Sequence, residues 1–263
     1  MKKAFMVLFC AISIIAISQE EKQFRLGVQL GNVSNKPKYQ SGMSDANARF
    51  HVNEWGGGAL SVVGRYDFDK RWMVTASLGI HSVGFGYAIS ENYSLLNKKG
   101  YGQYTGVKSD FAVLEMPAMV FYKFNPNCKN AKWLIGAGFS QDLAGAQTID
   151  KSVSQATDGN SNVNYISSTS STKGGLYWNF RWSVAREKTF KNNSILNASV
   201  LINYGFNQFA KSTVNYTIDN QTYTHTFTNN GNFVGLRLTY FFKPFVSLTS
   251  SNKKAAASNT LGK

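Results

Sequence analysis

Leu176-Tyr177-Trp178-Asn179-Phe180-Arg181-Trp182-Ser183-Val184 is the stretch on which the fold turns. Its even positions are all large and apolar, and its odd positions are Tyr, Asn, Arg and Ser. A period of two is the signature of a strand with two unlike faces. The polar face is the unusual one. A strand face turned to water would carry Lys and Glu, whereas this face carries an amide, two hydroxyls and one guanidinium.

Seven further segments repeat the pattern: Phe24–Leu30, Leu60–Phe68, Trp72–Ile80, Leu114–Phe124, Trp133–Phe139, Leu196–Phe206 and Val234–Phe242. Of the 40 apolar-phase positions in the eight segments, only Gly64 is not apolar. The links between successive segments run to about 26, 3, 29, 8, 31, 9 and 26 residues, so long and short alternate. Tight turns such as Asp69-Lys70-Arg71 then lie at one end, and long Ser-, Asn- and Gly-rich links at the other. The expected fold is all-β, an eight-stranded antiparallel up-and-down transmembrane β-barrel. Within the link 207–232 a further alternation, Val214 to Tyr223, predicts a hairpin that prolongs the seventh and eighth segments.

Alternation alone leaves open which face looks outward, since a soluble ligand-binding barrel also alternates. The polar face answers the question. It is crowded with small residues (Gly27, Ser61, Gly79, Gly136, Gly138, Ser183, Ser199, Gly235) and holds Arg25, Arg65, Arg181 and Arg237. Four guanidinium groups suit a polar lumen with acidic partners, for which Glu115 and Asp142 are the candidates, rather than an apolar cup. On the apolar face, Phe24, Phe68, Trp72, Phe124, Trp133, Trp182, Tyr240 and Phe242 gather beside the short turns as an aromatic girdle. A wall facing lipid also accounts for a charged fraction of only 16%, because a charge at the bilayer midplane costs about 2–4 kcal/mol.

The ends of the chain read differently. Lys2-Lys3, an apolar run Ala4–Ile17, and Ala16-Ile17-Ser18 before Gln19 form a secretory leader over 1–18. The run is too short for a membrane helix. The barrel is expected over 19–243, followed by a flexible polar tail over 244–263. Removal of Cys10 with the leader leaves Cys128 alone, so no internal disulfide is expected.

A net charge of +14 raises nucleic acid as a partner. The cations are not gathered on one face of a strand or helix, and nucleic acid is not expected. The long segments 32–57, 82–110, 144–174 and 207–232 carry only +1, +1, 0 and 0. Most of the positive charge falls on the short turns and the tail. His81-Ser82 and the lone His51 and His225 lack the spacing of a nucleophile, base and orienting acid. No metal-ligand spacing or phosphate-binding glycine loop is present. The chain is expected to be no enzyme and to take no cofactor.

Phe111-Ala-Val-Leu114-Glu115-Met116-Pro117-Ala-Met-Val-Phe-Tyr-Lys-Phe124, Trp133-Leu-Ile-Gly-Ala-Gly138-Phe139 and Val234-Gly-Leu-Arg-Leu-Thr-Tyr240-Phe-Phe242 together resemble the outer-membrane β-barrel domain family common in the Bacteroidetes, which includes PorT-like proteins and is similar in plan to OmpX. The resemblance covers roughly 23–243. It implies an outer-membrane location, contact with membrane lipid and lipopolysaccharide, and insertion by the barrel-assembly machinery. The leading functional expectation is a structural or surface-interaction protein with a plugged polar lumen, binding a surface ligand through its long loops. A narrow pore or a partner in a secretion machine is the alternative, and a lipid-modifying enzyme is the third reading.

Overall fold

The computed structural model describes residues 22–35, 37–42, 50–53, 55–90, 104–124, 131–156, 163–218, 221–244 and 246–248. These contain thirteen strands and no helix: β1 (Lys22–Asn35), β2 (Lys38–Gly42), β3 (Phe50–Asn53), β4 (Trp55–Asp67), β5 (Trp72–Ser90), β6 (Tyr104–Phe124), β7 (Lys132–Ala156), β8 (Val163–Thr189), β9 (Ile195–Gly205), β10 (Ala210–Ile218), β11 (Gln221–Asn229), β12 (Phe233–Phe241) and β13 (Val246–Leu248). The expected leader lies outside the described residues, as does most of the tail. Within the tail, β13 pairs with β1, Lys22 opposite Leu248.

The eight alternating segments fall in β1, β4, β5, β6, β7, β8, β9 and β12. Every pairing is antiparallel. β1 pairs β4, which pairs β5, and the ladder runs on through β6, β7, β8, β9 and β12. β12 then pairs β1, Gly31 opposite Arg237, so each of the eight is hydrogen-bonded on both sides. The turn after β4 is held by Asp69, whose Oδ1 accepts the N–H groups of Arg71 (2.6 Å) and Trp72 (2.7 Å), an Asx turn. In the turn after β8, Asn193 takes a left-handed φ of 63°, which Asn tolerates better than most residues.

The pleat sorts the two faces. Leu30, Leu60, Leu78, Trp133, Trp182, Ile202 and Leu236 all stand outward, the last 59% exposed. Arg25, Ser61, Arg65, Glu115, Asn179, Arg181, Asn197 and Arg237 stand inward and are buried. The burial is therefore inverted relative to a water-soluble sheet protein.

The long links differ from expectation. β5 runs on to Ser90, β6 starts at Tyr104, β7 continues to Ala156 and β8 starts at Val163, so 82–110 and 144–174 are largely strand. Here the apolar phase moves by one residue. Leu78 and Ile80 point outward, whereas Val83, Phe85 and Tyr87 point inward and are buried. The predicted hairpin exists as β10–β11, but it does not prolong β9 and β12. β10 pairs the upper part of β8, Ala210 opposite Thr172, and β11 pairs β2. β8 changes its partner from β9 to β10 between Thr172 and Asn179. Gly174 and Gly175 occupy this gap with φ of 73° and 113°, conformations that a β-carbon disfavours. The extension has its own core, in which Phe85, Tyr87, Phe111, Ile166, Phe209, Val214, Tyr216 and Phe227 pack together. Phe50 of β3 stacks on Tyr216 with ring centroids 4.3 Å apart.

Candidate functional site

The interior of the paired ring holds two separate ion clusters. The first centres on Glu115 of β6, which is fully buried. Arg181 Nη2 donates to its Oε2 at 3.0 Å, and Arg237 Nη1 and Nη2 donate to Oε1 and Oε2 at 3.1 and 3.2 Å. His81 Nδ1 lies 3.1 Å from Glu115 Oε2. Arg181 Nε also donates to Asn203 Oδ1 at 2.8 Å, and its Nη2 sits 3.6 Å from Asp142. The Ser140 hydroxyl donates to Asp142.

The register explains how such large groups fit. Glu115 faces Gly79 across the ladder, Arg181 faces Gly138, and Arg237 faces Gly31. A β-carbon at Gly31 would lie 2.4 Å from Arg237 Cδ, and one at Gly136 would lie 2.3 Å from the Phe121 ring. These bulky interior side chains rest over glycines of the next strand, whereas Arg65 faces Arg25 and Thr75.

The second cluster lies nearer the short turns. Arg65 Nε and Nη2 donate to Asp67, at 3.0 Å to Oδ2 and 2.9 Å to Oδ1, and its Nη1 and Nη2 donate to Glu187. Lys123 Nζ donates to Asp67 as well. Phe241 lies under the Arg65 guanidinium, 5.3 Å away. The expectation that Glu115 and Asp142 serve all four arginines is thus corrected. Glu115 serves Arg181 and Arg237, Arg65 uses Asp67 and Glu187, and Arg25 bonds only to neutral acceptors, Gln23 Oε1 and the carbonyls of Asn193 and Phe242. Sequence reasoning missed Asp67, Lys123 and Glu187. Counting on by twos from Arg65, Glu115 and Arg181 reaches all three.

Between the clusters is a cavity of about 50 Å³, lined by Gln29, Thr75, Ser77, Asn197, Arg181 and Arg237 among others. A water occupies at least about 10–15 Å³ on this measure, so the cavity admits a few waters. Above it the aromatic core of the extension fills the same axis. There burial pushes the Tyr87 hydroxyl above its ordinary pKa.

On the outer wall, girdle residues meet edge to face near the short turns: Trp72 with Tyr122, Phe180 with Trp182, and Tyr240 with Phe242, at 5.0, 5.4 and 5.5 Å. Phe24, Phe124 and Trp133 are exposed beside them, and Phe68 is half-buried against Tyr66. Arg186 lies over the Trp133 ring at 5.7 Å, so cations reappear outward at this level. His81 and Ser82 are neighbours in a strand and point to opposite faces. They cannot form a base–nucleophile pair. His225 Nε2 is 3.0 Å from the Tyr216 hydroxyl, inside the extension. No group of three or more metal-ligating side chains occurs among the described residues.

No protein family matches the chain, and no curated protein is similar to it. Solved structures of outer-membrane proteins are similar in outline. OprG from Pseudomonas aeruginosa is 10% identical, over 86% of this chain and 97% of that one, with a TM-score of 0.43. AlkL is 15% identical over 88% and 94%, with a TM-score of 0.38. The protease OmpT from Escherichia coli is 8% identical over 86% and 98%, with a TM-score of 0.31. Likeness this distant transfers no role from any of them to this chain.

Proposed function

We propose that the chain is an integral outer-membrane protein. Its eight doubly paired strands form the transmembrane barrel, its lumen is plugged, and it works as a structural or surface-interaction protein through the β-rich extension. One observation carries the reading: an apolar belt encircles the ring on its outer face, while Asp67, Glu115 and Glu187 are ion-paired inside. Ten residue steps from Leu196 to Phe206 make roughly 33 Å of strand. With a tilt of about 40° this is about 25 Å along the normal, the height of a lipid-facing band. Closure leaves no strand edge unpaired at that depth, as hydrocarbon requires. The Leu114-Glu-Met-Pro117 stretch supports kinship with the Bacteroidetes barrel-domain family, with lipid, lipopolysaccharide and the assembly machinery as partners in the same reading.

Fractionation of cells and gel mobility before and after boiling test the location and the fold. Recovery with the outer membrane and a heat-dependent shift are expected, and a soluble periplasmic product would overturn the proposal. Planar bilayers test the plug. No stable unitary conductance is expected, and reproducible channels would favour the pore reading instead.

A further inference from the structure

The short-turn end of the ring opens into a basin of about 470 Å³, the size of a small-ligand site, lined by Arg25, Arg65, Lys70, Lys123 and Lys132 against Asp67, Asp69 and Glu187. The carboxylates are already engaged. Asp67 and Glu187 are bonded to Arg65 and Lys123, and Asp69 caps its own turn through two backbone N–H groups. Arg25 is different. It is 5% exposed, its Nε has no hydrogen-bond partner, and its other contacts are with neutral oxygens. It faces Arg65 across the ladder and makes no direct ion pair among the described residues, and a buried guanidinium so placed is costly. The adjacent cation Lys132 has no ion pair among the described residues either.

We infer that this basin binds a phosphate group, with Arg25 supplying the charge-assisted hydrogen bonds at its floor and Lys132 a second positive charge at its rim. Arg25 and Lys132 add two positive charges that no ion pair among the described residues takes up, which matches a phosphate dianion of about −1.5 to −2 near neutral pH. A planar guanidinium also suits a tetrahedral oxyanion, which would replace the neutral acceptors that Arg25 now uses. Phosphate at this side could come free in solution or on a lipid headgroup, and the chemistry at Arg25 is the same.

The test uses the full folded protein in neutral detergent micelles at low salt, with its Arg25→Gln and Lys132→Gln variants. Each is first checked for the folded gel mobility. Inorganic phosphate is titrated by calorimetry against chloride at matched ionic strength, and phosphatidic acid in mixed micelles is titrated against phosphatidylcholine. Saturable binding of inorganic phosphate, weakened about tenfold or more by either substitution, supports the site with a soluble ligand. Binding of phosphatidic acid alone, weakened in the same way, supports it with a lipid headgroup. Should Arg25→Gln fail to fold, Lys132→Gln carries the comparison. Binding of neither probe, or binding undiminished in the folded variants, overturns the inference.

Discussion

Glu115→Gln separates a dry, ion-paired lumen from a wet one. The substitution keeps the shape and removes the charge. Arg237 then loses its only carboxylate among the described residues, bonded at 3.1 and 3.2 Å. Arg181 keeps Asn203 and a carboxylate no nearer than Asp142 at 3.6 Å. Breaking a buried pair from one side costs about 3–5 kcal/mol, because the remaining charge stays desolvated. In a water-filled pore the same change would cost about 0–1 kcal/mol, as for exposed pairs. Urea unfolding of vesicle-inserted protein, followed by tryptophan fluorescence, measures the difference. The double variant Glu115→Gln/Arg237→Gln should recover part of the loss, with a coupling of about 0.5–3 kcal/mol. A single-variant loss below about 1 kcal/mol, or no coupling, refutes the packed interior.

The glycine sockets give a sharper steric test. Gly138→Ala would place its β-carbon 2.0 Å from the Ala118 carbonyl oxygen and should cost about 1–3 kcal/mol or prevent folding. Gly64→Ala, outward and no nearer than 3.6 Å to any atom, should be near neutral in the same unfolding assay. Val62→Arg lies mid-belt between Val28 and Leu78 and should lose about 2–4 kcal/mol of insertion free energy in vesicles; no loss would mean that this face does not meet lipid. Deleting 210–229 removes β10 and β11, neither of which pairs with β4–β7, β9 or β12. The heat-modifiable shift should therefore persist, while β2 and the upper half of β8 become sensitive to protease. Loss of the shift would show that the hairpin is needed to close the ring.

The ring was legible because two signals agreed in it. Alternation was strict through all eight segments, and the inward face was too small and too rich in arginine to face water. Three parts were not legible, each for a physical reason. The upper halves of β5 to β8 read as loops because Ser82-Val83-Gly84-Phe85-Gly86-Tyr87 alternates in the opposite phase to Leu78 and Ile80. The apolar side chains move from the outer face to the axis between Ile80 and Val83. The partner of the β10–β11 hairpin could not be read, since alternation reports a strand's faces and not its neighbours. The ion pairs of Arg65 were missed because Asp67 and Glu187 sit at the frayed ends of the apolar pattern, where Phe68 and Val184 close the outward sets.

These phase changes also bear on where the protein acts. Within the ring the axis holds a buried apolar set, Met73, Met119, Phe121, Leu134 and Leu201 among it, beside ion pairs that join different strands: Glu115 reaches β8 and β12, and Arg65 reaches β8. Such cross-ring bonds are satisfied only in one register, so they oppose strand slippage as well as conduction. In the extension a second, aromatic cluster fills the axis, with Phe85, Tyr87, Tyr216 and Phe227, a core of the kind a water-facing domain needs. A pore would have no use for that second core, since it blocks the opening the strands would otherwise make. An exposed platform does need one, because strands prolonged beyond the bilayer have lost lipid as their apolar solvent and must bury their own side chains. On the proposed reading the extension is a projection beyond the bilayer, and its solvent-facing strands are the surface on which partners should be sought.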